Sequence, residues 1–361
     1  MPQKGSVLVA MSGGVDSSVA CLMLMEQGYS IIGATFRTWD YIAEGCLAKN
    51  TGCCSIEAIH DAAAFAAHNR FEHHVLDFRD SFRKLVIDNF VDEYQAGRTP
   101  NPCVICNAKI KWGLLLEKAK ELGCSHIATG HYAGIGMQHG RFFLKTARDL
   151  EKDQTYFLWQ LTSEQLSKTL FPLSRYTKNQ IKAMALEAGY KQLSSKRESQ
   201  EICFVPDNNY CGFITKEYPQ VMSQINEGEL LDTMGNTIGK HRGYIHYTIG
   251  QRKGIGYAAG HPLYVINIDA NRNTLTLGTK EELYRDQLTV SGLTLNKYDD
   301  FTCLENIIVK IRYNSKGTEA VLTKEGNRVH VVFQLPVMAV TPGQSAVFYE
   351  GTDLIGGGII E

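Results

Sequence analysis

The chain has 361 residues, 44% of them hydrophobic and 21% charged, with a formal net charge of −1. That length predicts two or three domains, and the balanced charge excludes a globally basic nucleic-acid binder, so any RNA contact must come from local basic patches. No apolar run is long enough to span a bilayer and the start, MPQKGSVLVAMSGG, reaches glycine too early for a secretory signal, so a cytoplasmic protein is expected.

Residues 7–11, VLVAM, are a continuous apolar run, the pattern of a strand buried on both faces. A Gly/Ser turn follows, then helical periodicity over 18–27, closed by Gly28. Residues 29–36 and 74–78 read as strands, 56–69 as an Ala-rich helix, and 82–94 and 109–122 as helices. Residues 125–129 read as a strand running into Gly130 and His131. Strands alternating with helices predict an α/β fold, a doubly wound parallel sheet whose ligands bind at the carboxyl ends of its strands. Residues 12–17, Phe36 and Gly130 fall at such ends. Helical patterning persists over 177–189 and the texture changes near Pro206. Residues 227–280 are Gly-rich with short strands, and from 287 onward only strands remain, at 288–295, 307–313, 319–323, 328–333, 345–349 and 354–360. The expected organisation is an α/β domain over 1–206, a small central domain over 207–280 and a β-barrel over 281–361.

The string SGGVDSS, 12–18, joins the first strand to the first helix. Glycine lets the backbone approach an anion closely, and a helix start offers open N–H groups at the positive end of its dipole. Ser17 and Ser18 add hydroxyl donors. The string is neither G-x-x-x-x-G-K-[ST] nor G-x-G-x-x-G, so it is not a Walker or dinucleotide loop. It reads as a pyrophosphate site rather than a capped turn, and it resembles the PP-loop of ATP pyrophosphatases, which cleave ATP to AMP and pyrophosphate. GRTPNP (97–102), ATGHY (128–132), KDQTYFL (152–158), ICF (202–204), TIGQRKG (248–254) and TPGQSAVFY (341–349) follow in order. Together these strings are similar to the tRNA-specific 2-thiouridylase family, from the first strand to the final GGGII.

The resemblance implies ATP-dependent replacement of the 2-oxygen of a wobble uridine by sulfur, in tRNAs of the Lys, Glu and Gln type. The oxygen would be adenylated, and sulfur would arrive as a cysteine persulfide from a cysteine desulfurase or sulfur-relay protein. ATP would be held by Ala10, Met11, Ser12, Gly13, Gly14, Val15, Asp16, Ser17, Phe36 and Gly130, with Mg²⁺ spreading charge on the phosphates. Asp16 is a candidate Mg²⁺ partner or equally a helix cap. Asn101, Pro102 and Cys103 would line the pocket for the flipped base. His131, otherwise a satisfied strand-end histidine, and Lys152, Asp153, Gln154, Arg312, Tyr313 and Gln344, otherwise ordinary surface residues, would meet tRNA, with Arg252 and Lys253 a further phosphate site. A rival reading is a PP-loop ligase adenylating a small molecule; the two thiols and the missing glutamine-amidotransferase domain speak against it. An RNA-binding or sulfur-carrier protein with a vestigial loop is the other rival.

Ten cysteines in such a chain suggest buried, metal-ligating or catalytic thiols rather than disulfides. Cys21, Cys124 and Cys303 read as structural. So do Cys46, Cys53 and Cys54, since no second C-x-x-C or His pair completes a zinc site, His60, His73 and His74 being candidates by proximity alone. The resemblance implies Cys106 as nucleophile and Cys203 as persulfide carrier. Cys203 follows the polar stretch 194–200, the composition of a mobile loop. Cys106 precedes NAKIK, where a helix is expected to begin, and a helix start with Lys109 and Lys111 favours thiolate, though the same lysines read equally as a solvated face or as contacts to tRNA backbone. Many family members carry aspartate at the position of Cys103. Three readings stay open. Cys103 replaces that carboxylate as a polar contact, or it forms a redox pair with Cys106, or Cys103, Cys106 and Cys203 ligate an iron–sulfur cluster. The iron-free route is slightly favoured.

Overall fold

The structure, a computed structural model, describes residues 4–39, 56–195, 202–205 and 207–361. Its first strands in chain order are β1 (Ser6–Ala10), β2 (Ser30–Arg37), β3 (Glu72–Asp77), β4 (His126–Ala128), β5 (Gly134–Gln138), β6 (Arg141–Lys145) and β7 (Thr169–Leu170). Five of them form a parallel sheet in the order β3-β2-β1-β4-β7. The expected doubly wound α/β architecture is therefore present. Burial on both faces explains why β1 is apolar from Val7 to Ala10. Val7 and Val9 face a core with Cys21 and Leu24 of helix α1 (Val15–Glu26) and Ala62 and Phe65 of helix α2 (Ile56–His68). Leu8 faces the opposite core, with Trp112 and Leu115.

The central sheet contains β8 (Gly228–Leu231), β9 (Thr237–His241), β10 (Tyr264–Asp269) and β11 (Thr274–Gly278), in the order β10-β11-β8-β9. The last six strands are β12 (Tyr284–Leu295), β13 (Cys303–Lys310), β14 (Thr318–Glu325), β15 (Arg328–Met338), β16 (Ser345–Glu350) and β17 (Asp353–Ile360). They pair in the order β12-β15-β14-β13-β16-β17, and β12 pairs again with β17, closing a six-stranded antiparallel barrel. Val290, Val309, Leu322, Val331, Phe348 and Ile355 fill its interior.

Several elements differ from the sequence reading, two of them at the site and the barrel. The helix expected from residue 109 begins at Pro102, and the helical run 102–121 has a π-helical middle, Cys106–Leu114. Proline at the first helical position is preorganised for it, a start signal hidden by the turn-like NP. The hairpin β5–β6 was not anticipated and extends the barrel sheet rather than the parallel one, through Asp353 opposite Lys145. Lys145 and Lys297 both reach Asp353 at 2.7 Å. Nothing in ten short residues announces a partner two hundred positions away.

The segment 155–159 wedges the barrel against the α/β sheet. Trp159 is fully buried, donates its indole N–H to Ser345 Oγ at 2.9 Å, and lies against Gly357. Tyr156 donates to the Ser345 carbonyl at 3.0 Å. A Cβ at Gly357 would sit 2.9 Å from both the Trp159 ring and the Ala346 carbonyl oxygen. Gly357→Val is therefore expected to cost about 1–3 kcal/mol through overpacking. Thermal unfolding checks this; an unchanged midpoint would show that the wedge yields freely.

Candidate active site

The strand β1 ends in the loop 11–14, which turns directly into α1 with Gly14 as N-cap and no side chain capping the helix. Gly14 has no side chain with which to satisfy the first-turn N–H groups of α1, the arrangement that binds anions. Ser17 Oγ accepts from the Ser12 amide at 3.2 Å and donates to the Gly14 carbonyl at 3.2 Å, so the hydroxyl braces the loop. Gly13 has φ +64°, and a Cβ there would lie 2.5 Å from the Ala58 carbonyl oxygen of α2. Gly130, just past β4, backs onto α1 so closely that a Cβ would meet Asp16 C and Ser17 N at 2.8 Å. Both glycines are thus sterically required. Ala10 ends β1, Met11 is buried, and Val15 opens α1. Phe36, near the end of β2, is buried against Phe78, ring centroids 5.6 Å apart.

Asp16 has a partner that the sequence did not suggest. Lys178 Nζ lies 2.8 and 2.7 Å from its two carboxylate oxygens, and the Tyr132 hydroxyl donates to it at 3.0 Å. Asp16 is therefore not the cap of α1. The only sequence signal for Lys178 is an oddity, a cation at the first position of the helix Lys178–Glu187, against the helix dipole.

His131 stands between the phosphate loop and the cysteine helix. Its Nδ1 lies 2.7 Å from Thr129 Oγ1, its Nε2 3.5 Å from Lys111 Nζ, and its ring centroid 5.5 Å from that of Trp112. Burial, and secondly the Lys111 ammonium, hold its pKa well below the ordinary value. Asn101 is the N-cap of the helical run 102–121, with Pro102 buried behind it. Cys103 lies in the first turn and Cys106, three residues on, opens the π-helical segment, Cys103 exposed and Cys106 half-buried. Asn107 donates to the Phe157 carbonyl at 3.0 Å, and Trp112 to Thr169 Oγ1 at 2.9 Å, which fixes the rest of the run.

The segment leading into that helix is clamped from two sides. Gly97, φ +72°, lies against Ile268 and Ala270 of the central sheet, where a Cβ would be 3.2 and 3.1 Å away. Tyr244 of the same region donates to the Gln95 carbonyl at 2.6 Å. From the barrel side, Thr99 N donates to Pro342 O at 2.9 Å. Gln344 Nε2 donates to Thr99 O and Pro100 O at 2.9 and 3.1 Å.

Cys203 is exposed beside fully buried Phe204, whose ring lies 5.2 Å from Phe90, 5.2 Å from Phe213 and 5.8 Å from Phe82. Cys106 and Ile202 pack against this same apolar cluster, which brings the two distant cysteine-bearing segments onto one core. Residues 196–200 of the expected mobile stretch lie outside the described residues, as do Cys46, Cys53 and Cys54. Among the described residues no three His, Cys, Asp or Glu side chains come together as a metal-holding group.

The residues expected to meet tRNA are not all surface residues. Asp153 is buried and accepts from Ala147 N at 2.7 Å, Thr155 N at 3.2 Å and the Thr155 hydroxyl. Gln154 brackets Tyr132, accepting from its amide and donating to its carbonyl, both at 2.9 Å. These two residues build the turn that carries half-buried Lys152. Arg312 donates to the Ala339 carbonyl at 2.7 Å, and Tyr313 lies 4.6 Å from the Phe157 ring. Arg252 and Lys253 sit on the exposed loop after Gly250.

Three family models match the chain: a tRNA methyl transferase HUP domain over residues 5–207, a tRNA methyl transferase PRC-barrel domain over 216–279, and an aminomethyltransferase beta-barrel domain over 285–360. A tRNA-specific 2-thiouridylase MnmA of Amoebophilus asiaticus is 49% identical over 360 residues, 99% of this chain and 96% of that protein. Those of Cytophaga hutchinsonii and Acetivibrio thermocellus are each 47% identical, over 100% and 99% of this chain and 98% and 99% of their own length.

The His131 environment makes a pH prediction. A histidine held neutral by burial adds stability above its unfolded pKa of about 6.5, and that stability is lost as pH falls, because the unfolded chain binds a proton the folded one refuses. Burial lowers His73, His241 and His246 as well, so each adds to the slope. His131→Gln is expected to flatten, not abolish, the fall in unfolding free energy between about pH 7 and 5. Denaturant titrations across that range check it; an identical slope would mean that His131 titrates normally.

Proposed function

The chain belongs to the tRNA-specific 2-thiouridylase family, and from that membership we propose that it thiolates the wobble uridine of tRNA at the 2-position, at the expense of ATP. The observation that carries this reading is the packing of Cys106 and Ile202 against one core, on a helical run that Lys111, His131 and Gly130 link to the loop before α1. The 2-oxygen attacks the α-phosphorus of ATP, an O–P bond forms, and pyrophosphate leaves against the loop amides and the α1 N-terminus. Phe36 and Gly130 border the nucleotide. Both Asp16 oxygens are engaged by Lys178, so Mg²⁺ enters with the phosphates as part of the nucleotide substrate.

The terminal sulfur of a Cys203 persulfide then attacks C2 of the uridine, and AMP leaves with the oxygen. The Cys106 thiolate attacks Cys203 Sγ, forming a Cys106–Cys203 disulfide and releasing 2-thiouridine. An external thiol reductant restores both thiols, and a cysteine desulfurase or relay protein reloads Cys203. Shared packing of Cys106 and Ile202 against one core supports this exchange. Asn101, Pro102 and Cys103 line the base pocket, Cys103 standing as a polar contact in place of a carboxylate. Lys152, Arg252 and Lys253 supply phosphate contacts, and His131, Arg312 and Tyr313 border the RNA path. Asp153, Gln154 and Gln344 act by shaping the turns around it. The three cysteines are not gathered as a metal-holding group, so the iron–sulfur route is the alternative that the experiment separates.

The test uses iron-free protein, tRNA with a wobble uridine, ATP, cysteine and a desulfurase. Gly14→Val should bind tRNA but release no pyrophosphate. Cys106→Ser and Cys203→Ser should still release pyrophosphate in a tRNA-dependent way yet form no 2-thiouridine, and Cys103→Asp should retain most thiolation. Nucleoside analysis reads the product. Thiolation confined to iron-loaded protein would overturn the persulfide route, and pyrophosphate release without tRNA would favour a small-molecule ligase.

A further inference from the structure

Lys178 is expensive to place. It opens a helix, where the dipole disfavours a cation, and it is 6% exposed, where desolvation disfavours the ammonium. Its Nζ sits on both oxygens of Asp16, the second residue of α1, and 5.9 Å from the Tyr132 ring. Three anchors fix the geometry. Thr177 and Gln180 form a capping box at the helix start, the Lys178 amide donates to Asp149 Oδ2 at 2.8 Å, and Ile181 and Ala185 pack against Val15 and Val19 of α1. The phosphate loop itself contains no lysine or arginine. It does contain Asp16, whose negative charge at an anion-binding helix start opposes the anion.

We propose that Lys178 is a positioning residue for ATP activation. It neutralises Asp16 and holds α1 so that the loop meets the polyphosphate as a net positive surface, supplying from a neighbouring helix the cation that a Walker loop carries within itself. This rests on the reading of the loop as an ATP pyrophosphate site. Loss of the lysine leaves an uncompensated carboxylate facing the phosphates. ATP affinity then suffers, and removing the carboxylate as well restores it.

The experiment measures ATP KM in tRNA-dependent pyrophosphate release, with thermal unfolding alongside, for wild type, Lys178→Met, Lys178→Arg and the double variant Asp16→Asn/Lys178→Met. The expected result is a KM raised at least tenfold by Lys178→Met, near wild type for Lys178→Arg, and recovered at least threefold in the double variant. Equal KM values for wild type and Lys178→Met would overturn the proposal, as would a double variant no better than Lys178→Met. If Lys178→Met does not fold, Lys178→Gln decides: a KM raised at least tenfold agrees, and a KM equal to wild type contradicts. Wild type that shows no ATP-dependent pyrophosphate release at all would instead refute the reading of the loop.

Discussion

The site depends on how the short segment 97–101 is held. It connects two helical runs, has little core of its own, and delivers Asn101, Pro102, Cys103 and Cys106 to the mouth of the parallel sheet. Gly97 is pressed against the central sheet, and Thr99 and Pro100 are hydrogen-bonded by the barrel turn 341–344. Backbone carbonyls in a connecting segment must find donors, and an unmet buried acceptor costs about 1–3 kcal/mol. Gln344 meets two of them at once. The barrel and the central sheet thus set the position of the helix start that carries both thiols.

The same logic runs outward from that turn. Asn107 ties the helix to the 155–157 turn, which Tyr156 and Trp159 lock onto Ser345 of the barrel. Lys111 meets His131, which stands one residue from Gly130, and Gly130 touches the first turn of α1. An unbroken run of contacts therefore joins the anion-binding loop to the cysteine helix across the end of β4. Energy in this region goes into polar groups that are buried and partnered, Asp153, Asn107 and Thr155 among them. Such networks fix one geometry where a purely apolar core would tolerate several.

Much of this was legible in the sequence. The apolar run 7–11 before SGGVDSS announced a buried parallel strand and a phosphate loop, and six alternating segments after 287 announced the barrel. Both signals are local, set by period and turn chemistry. What stayed hidden was non-local or violated local rules. The hairpin β5–β6 looks like part of the α/β region, yet its ladder partner is β17. Asp153 reads as a loop carboxylate, but the backbone amides of Ala147 and Thr155 draw it inward. Lys178 sits where the helix dipole disfavours a cation, and its reason, Asp16, is 162 residues away. The helix start at Pro102 was obscured because Asn-Pro signals a turn as readily as a helix entry.

Amide hydrogen exchange over residues 97–106, compared between wild type and Gln344→Ala, tests the clamp most directly. The account predicts faster exchange in this segment, with β12–β17 protected as before. Equal protection of 97–106 in the two proteins would contradict it, and would mean that the segment holds its place without the barrel.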